Sequence, residues 1–204
     1  MGVRSRAVSG PDPALLDAAN VGLLPSYWAQ RFGDRPALTT PHGDRTYTDV
    51  DENANRLVRA LRARGVRPGD GIALLCGNRP QFVETYSAAM RGGLRLTPVN
   101  WHLTGDETGY IVDDCEATAF VADARYADVA AHAAKLTPRV RARIAVGGGI
   151  DGFEDWDAAV GTEDGSPLTD PSLGGLMLYT SGTTGRPKGV HRRTDVANTL
   201  AVAA

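Results

Sequence analysis

Residues 174–190 read GGLMLYTSGTTGRPKGV, and the reading of this stretch decides how the rest of the chain is organised. The apolar run at 176–179 suits a buried strand. Behind it, Thr180, Ser181, Thr183 and Thr184 supply hydroxyl donors, while Gly182, Gly185 and Gly189 carry no side chain. Glycine lets the backbone reach positive φ and come close to a ligand, so successive N–H groups can converge on an anion. Lys188 adds one mobile point charge of the kind phosphates attract, and Pro187 fixes its own φ on the approach to it. Such a loop is suited to holding a polyphosphate. It is not a Walker A loop, because Lys188 stands between Pro187 and Gly189 where that pattern needs Gly-Lys followed by Ser or Thr at a helix start.

Upstream of this loop, residues 161–175 are rich in Gly, Ser, Pro, Thr and Asp and read as a linker. Before the linker, strands and helices alternate. Strands are expected at 72–76, 94–99, 117–122 and 143–146, and helices between Asn78 and Gly92, from Thr104 to Cys115, at 126–136 and at 153–160. Asn78 is placed as the cap of the first of these helices, and Thr104 with Glu107 forms a capping box for the second. Earlier still come a helix over 23–32, a hairpin around residues 41–44 and a long helix ending at Gly65, with Thr48 and Asp51 at capping-box spacing. Arg56, Arg59, Arg62 and Arg64 fall off the apolar stripe of that helix and read as a solvated face.

This alternation indicates an α/β fold with a mainly parallel sheet covered by helices on both faces. Four segments are expected: a flexible N-terminus at 1–20, an α/β subdomain at 21–160, the linker at 161–175, and at 176–204 the loop with the start of a second, incomplete α/β subdomain.

Composition narrows the function. With 204 residues, 42% hydrophobic and 23% charged, the chain has the balance of an ordinary soluble domain, and a net charge of −2 speaks against nucleic-acid binding. Cys76 and Cys115, the only cysteines, each sit among apolar residues and read as buried free thiols, which fits a cytoplasmic protein. No segment approaches the length of a transmembrane helix. The four histidines, His42, His102, His132 and His191, show no metal-binding spacing, so no metal ligand is assigned. Gly147, Gly149 and Gly152 satisfy G-x-G-x-x-G after a strand, but Asp151, Glu154, Asp155 and Asp157 would repel a pyrophosphate there, and the segment reads as a turn. Arg186, Lys188, Arg192 and Arg193 gather positive charge around the loop at 180–188, either as surface charge or to concentrate an anion.

The passage from Tyr179 through Val190 resembles the signature loop of the AMP-binding, or adenylate-forming, enzymes. Arg45-Thr46-Tyr47-Thr48 and residues 88–100 are similar to two further landmarks of that family, and Trp101-His102-Leu103-Thr104 is similar to the fatty-acyl-CoA synthetases. The resemblance implies the N-terminal portion of the adenylate-forming fold. It also implies that Thr180, Ser181, Gly182, Thr183, Thr184, Gly185 and Lys188 bind the phosphates of ATP. The implied reaction joins a carboxylic acid, a fatty acid on this resemblance, to ATP, giving an acyl-adenylate and pyrophosphate. The acyl group then passes to a thiol, commonly coenzyme A, with Mg²⁺ as the usual cation.

In the family the adenine contacts, the metal-binding acid, most of the acyl pocket and the lysine that engages the adenylate follow this loop, so no catalytic residue is assigned here. The apolar residues 196–203 after Thr194 and Asp195 end uncapped at Ala204, and the C-terminal portion of the enzyme is expected to be missing. The segment alone is expected not to complete adenylation. The alternative is a non-catalytic remnant or nucleotide-binding module that retains the loop, and a kinase-like phosphate binder would need a Walker B acid that does not stand out.

Overall fold

The computed structural model of the protein describes residues 12–180 and 187–192. Its centre is a strand, β3 (Gly71–Leu75), buried at every residue. Ile72, Leu74 and Cys76 join one apolar cluster while Ala73 and Leu75 join another, the period-2 alternation of a strand covered on both sides. The first cluster is built with α3 (Tyr47–Ala63), α4 (Pro80–Arg91) and α7 (Trp156–Val160), through residues such as Leu57, Leu61, Ala88 and Trp156. The second is built with α5 (Gly105–Asp114) and α6 (Ala127–Leu136), through Ile111, Val112, Ala130 and Ala133. Cys76 and Cys115 belong to different clusters on opposite faces of the sheet, and both thiols are free.

The sheet has seven strands in the order β7-β6-β5-β3-β4-β8-β9, with β4 (Arg95–Pro98), β5 (Ala117–Asp123), β6 (Ala142–Val146), β7 (Glu154–Asp155), β8 (Gly175–Thr180) and β9 (Lys188–Arg192). All pairings are parallel except the last, in which β9 runs antiparallel to β8. The strand that leads into the loop at 180–188 therefore continues the same sheet, next to β4. A small hairpin of β1 (Pro36–Leu38) and β2 (Arg45–Thr46) precedes α3.

Several local expectations are corrected. Residues 13–20 are not frayed: α1 (Pro13–Asn20) is capped by Asp12, whose carboxylate also accepts from Tyr27 and Arg31 on α2 (Leu24–Phe32). The capping box of α3 is Thr46 with Asp49, two residues earlier than expected. Asp51 is otherwise engaged, accepting from Ser26 at 2.6 Å and lying 2.7 Å from Arg91. Asn78 does not cap α4; the cap position is Arg79, and Pro80 in the first turn removes one of the donors that a cap would have to satisfy. The run at 153–160 splits into the short strand β7 and α7, capped by Asp155.

Candidate functional site

The linker and hairpin that carry the loop are positioned from α3 and α4 outward. The arginines of α3 are not a solvated face. Arg59 donates to the carbonyls of Asp164 (2.6 Å), Ser166 (2.8 Å) and Pro167 (3.3 Å), Arg62 to the Asp170 carboxylate (2.8 Å), and buried Asn55 to the Gly165 carbonyl (3.0 Å). Arg56 and Arg64 pair with Glu52 and Glu154. The linker thus lies along the polar side of α3, and its unpaired carbonyls are satisfied there. Ser172 then donates to the Arg91 carbonyl and Gly174 to that of Met90, bringing the chain against the end of α4. A Cβ on Gly174 would stand 2.3 Å from the Ala89 carbonyl oxygen, so only glycine permits this approach.

β8 pairs with β4 only at Arg95↔Gly175 and Leu96↔Leu176. Beyond Leu176 its ladder partner is β9, in register from Leu176↔Arg192 to Thr180↔Lys188. The two expected phosphate contacts within the described residues, Thr180 and Lys188, are therefore directly opposite each other. Both are exposed, and they close the hairpin at the carboxyl edge of the parallel strands, the edge where open α/β sheets bind ligands. Ser181, Gly182, Thr183, Thr184 and Gly185 lie outside the described residues, as do Arg186, Arg193, the side chain of Arg192 and the apolar run at 196–203.

The strand at 176–179 is less buried than expected: Leu178 is 36% exposed and Val190, opposite it on β9, 47%. The other face of the hairpin packs on α5. Met177 and Tyr179 lean against the second apolar cluster, the Tyr179 hydroxyl donates to Asp114 at 2.5 Å, and the Tyr110 hydroxyl donates to the Pro187 carbonyl at 3.4 Å. Gly189 serves this packing, since a Cβ there would meet Met177 Cε at 2.2 Å and Tyr179 Cζ at 3.0 Å. Burial, then the Asp114 hydrogen bond, pushes the Tyr179 phenol far above its ordinary value, so it remains an O–H donor.

Elsewhere the structure accounts for the remaining candidates. Gly147 opens a turn covered by the Arg79 guanidinium, which is held by the buried Asp123 at 2.8 Å, in keeping with the turn reading of the glycine triplet. His132 pairs with Asp106 at 2.8 Å, and the His102 ring lies against Trp101. Among the described residues no group of three or more His, Cys, Asp or Glu side chains could hold a metal ion, and no helix is long and apolar enough to cross a membrane. A depression of about 400 Å³ lined by Gly69, Gly93, Arg95, Leu173, Gly174 and His191 lies at the far end of the hairpin from Lys188.

The family profile described as "AMP-binding enzyme" matches residues 26–204. A 3-oxocholest-4-en-26-oate–CoA ligase of Rhodococcus rhodochrous is 32% identical over 194 residues, covering 90% of this chain and 35% of that protein. A feruloyl-CoA synthase of an Amycolatopsis species is 37% identical over 147 residues, covering 71% of this chain and 27% of that protein. In structure, a benzoate CoA ligase from Burkholderia xenovorans superposes with a TM-score of 0.76 at 20% identity, over 90% of this chain and 36% of that one, which speaks for the fold alone. The chain thus spans about a third of the length of the relatives it matches.

Proposed function

The chain belongs to the AMP-binding enzyme family, and on that premise we propose that it is the N-terminal part of an ATP-dependent acyl-CoA synthetase. The reaction is carboxylate plus ATP giving acyl-adenylate and pyrophosphate, then transfer of the acyl group to coenzyme A with release of AMP. The observation that carries this reading is the pairing of Thr180 with Lys188, which puts a hydroxyl-bearing and a cationic residue opposite each other at the mouth of the loop. Thr180, Ser181, Gly182, Thr183, Thr184, Gly185 and Lys188 would hold the β- and γ-phosphates and so the departing pyrophosphate. A charged hydrogen bond from Lys188 contributes about 1.5–3 kcal/mol, or roughly a 10- to 100-fold difference in affinity.

Catalysis of this kind rests on positioning and on charge stabilisation at the α-phosphorus. The described residues hold no cluster of three or more His, Cys, Asp or Glu side chains that could bind a metal ion. The adenine contacts and the acyl pocket would be supplied by residues that follow. A fatty acid is the proposed substrate, on the similarity of residues 101–104.

The test is fatty-acid-dependent ATP–pyrophosphate exchange. It should appear in the protein read through past residue 204 and be absent from the purified 204-residue chain. Exchange by the short chain would overturn its incompleteness, and none by the longer protein would favour a non-catalytic module.

A further inference from the structure

The described part of the phosphate hairpin beyond Leu176 has no ladder neighbour except its own second strand, so something else must set the direction in which it points. α5 touches it on both sides of Lys188. Tyr179, the penultimate residue of β8, lays its ring across Gly189 and donates its hydroxyl to Asp114, the last residue of α5, at 2.5 Å. One helical turn earlier, the Tyr110 hydroxyl reaches the carbonyl of Pro187, the residue before Lys188, at a longer 3.4 Å. The helix that offers these groups is itself well held. Thr104 and Glu107 form a reciprocal capping box at its start, Ile111, Val112 and Cys115 are buried, and Gly105 and Gly109 let α6 pack closely against it.

Asp114 is out of place on helix grounds. A carboxylate in the last turn faces the negative end of the helix dipole, and Asp114 is exposed, with an equally exposed Asp113 before it. Its contact with Tyr179 gives that charge a purpose.

We propose that Asp114, Tyr179 and Tyr110 are positioning residues that fix the direction of the phosphate hairpin from α5, and through it the affinity of the chain for a polyphosphate. The inference rests on the phosphate-binding reading of the hairpin. A hairpin already held in the binding orientation loses no affinity to conformational averaging. If loss of the tether leaves that orientation populated a tenth of the time, Kd rises about tenfold.

Electrostatics alone predicts the opposite sign, because removing the carboxylate of Asp114 near a polyanion should tighten binding. Helix stability points the same way as electrostatics, since the Asp114→Ala change relieves the dipole.

The experiment titrates inorganic tripolyphosphate into the wild-type chain and into its Tyr179→Phe, Asp114→Ala and Asp113→Ala variants, with hydrogen exchange followed over residues 175–192. Asp113 faces Arg139 at 3.4 Å and serves as the control. The Tyr179→Phe and Asp114→Ala variants should each bind about tenfold more weakly and exchange the β8–β9 amides faster, with thermal midpoints close to wild type. A variant carrying both Tyr179→Phe and Asp114→Ala, titrated alongside, should be no worse than either single change, and the Asp113→Ala variant should match wild type. Unchanged or tighter tripolyphosphate binding by the Asp114→Ala variant overturns the proposal, as does unchanged hairpin exchange in both variants. If the wild-type chain does not bind tripolyphosphate, the phosphate reading and the affinity role fall together. The exchange data still distinguish that failure from an absent tether.

Discussion

Replacing Arg91 by methionine should cost this chain about 3 kcal/mol of stability, and the structure shows where the cost comes from. Arg91 is the last residue of α4 and is fully buried. Its Nη1 donates to Asn55 Oδ1 at 2.5 Å and to the Asp51 carbonyl at 3.0 Å, and its Nη2 lies 2.7 Å from Asp51 Oδ1, out of line for a good hydrogen bond. Burial pulls the guanidinium pKa down, and the Asp51 carboxylate opposes that pull. Methionine fills much of the aliphatic stem and removes the charge.

Breaking a buried ion pair costs about 3–5 kcal/mol, because the surviving charge is stranded. The lower end applies here, since the Asp51 side chain is 14% exposed and keeps the Ser26 hydroxyl at 2.6 Å. Asn55 loses its donor as well, and for a chain of this size the sum corresponds to a fall in Tm of about 6–12 °C. Urea unfolding of the wild type, Arg91→Met, Asp51→Asn and the double variant measures both the cost and the coupling. The double variant should be less destabilised than the sum of the singles by about 1 kcal/mol or more. A single-variant cost below about 1 kcal/mol, or strictly additive costs, would refute the reasoning.

Two further predictions follow from buried groups. Glu84 is fully buried, and desolvation raises its pKa above the ordinary glutamate range against the lowering effects of Asn53 and Arg45. For a carboxyl whose folded pKa is raised, stability is fully present below the unfolded pKa and is lost as pH climbs through the folded one. The Glu84→Gln variant, which stays neutral, should therefore gain on wild type as pH rises above about 4.5 in urea titrations, and a difference that stays flat from pH 4 to 8 would contradict this. Burial, then the Asp123 charge, pushes the Cys76 thiol up to about 12, and burial raises Cys115 too. At pH 8 the thiolate fraction of Cys76 is on the order of 10⁻⁴, so iodoacetamide should label the native chain far more slowly than the urea-unfolded one, and equal rates would rule out the burial described.

Much of the fold was legible because the sheet is regular. Each strand buried on both faces is a short apolar run between helices, and the capping box of Thr104 and Glu107 has a single frame. At the start of α3, by contrast, Thr46 with Asp49 and Thr48 with Asp51 are overlapping frames of equal local merit. The choice is made by Arg91, 40 residues away, which engages Asp51 and leaves Asp49 to the cap.

Arg59 and Arg62 of α3 were not legible for a similar reason: their partners are carbonyls and a carboxylate of a linker more than a hundred residues later. At the site, the motif singles out Thr180 and Lys188, and the β8–β9 register sets them opposite each other. The support beneath them was not readable, because Asp114 and Tyr179 are 65 residues apart and neither has a local reason to meet the other. Gly189 lies in the motif beside glycines that leave room for a ligand, but the space beside it is filled by Tyr179 and Met177.

The account depends on Lys188 and the loop it closes holding the phosphate tail of a nucleotide. Calorimetric titration of the wild-type chain and its Lys188→Ala variant with ATP, at low and moderate salt, tests this most directly. The account predicts binding by the wild type that weakens with salt, and a variant roughly 10- to 100-fold weaker at low salt. Equal affinity in the two proteins would contradict it.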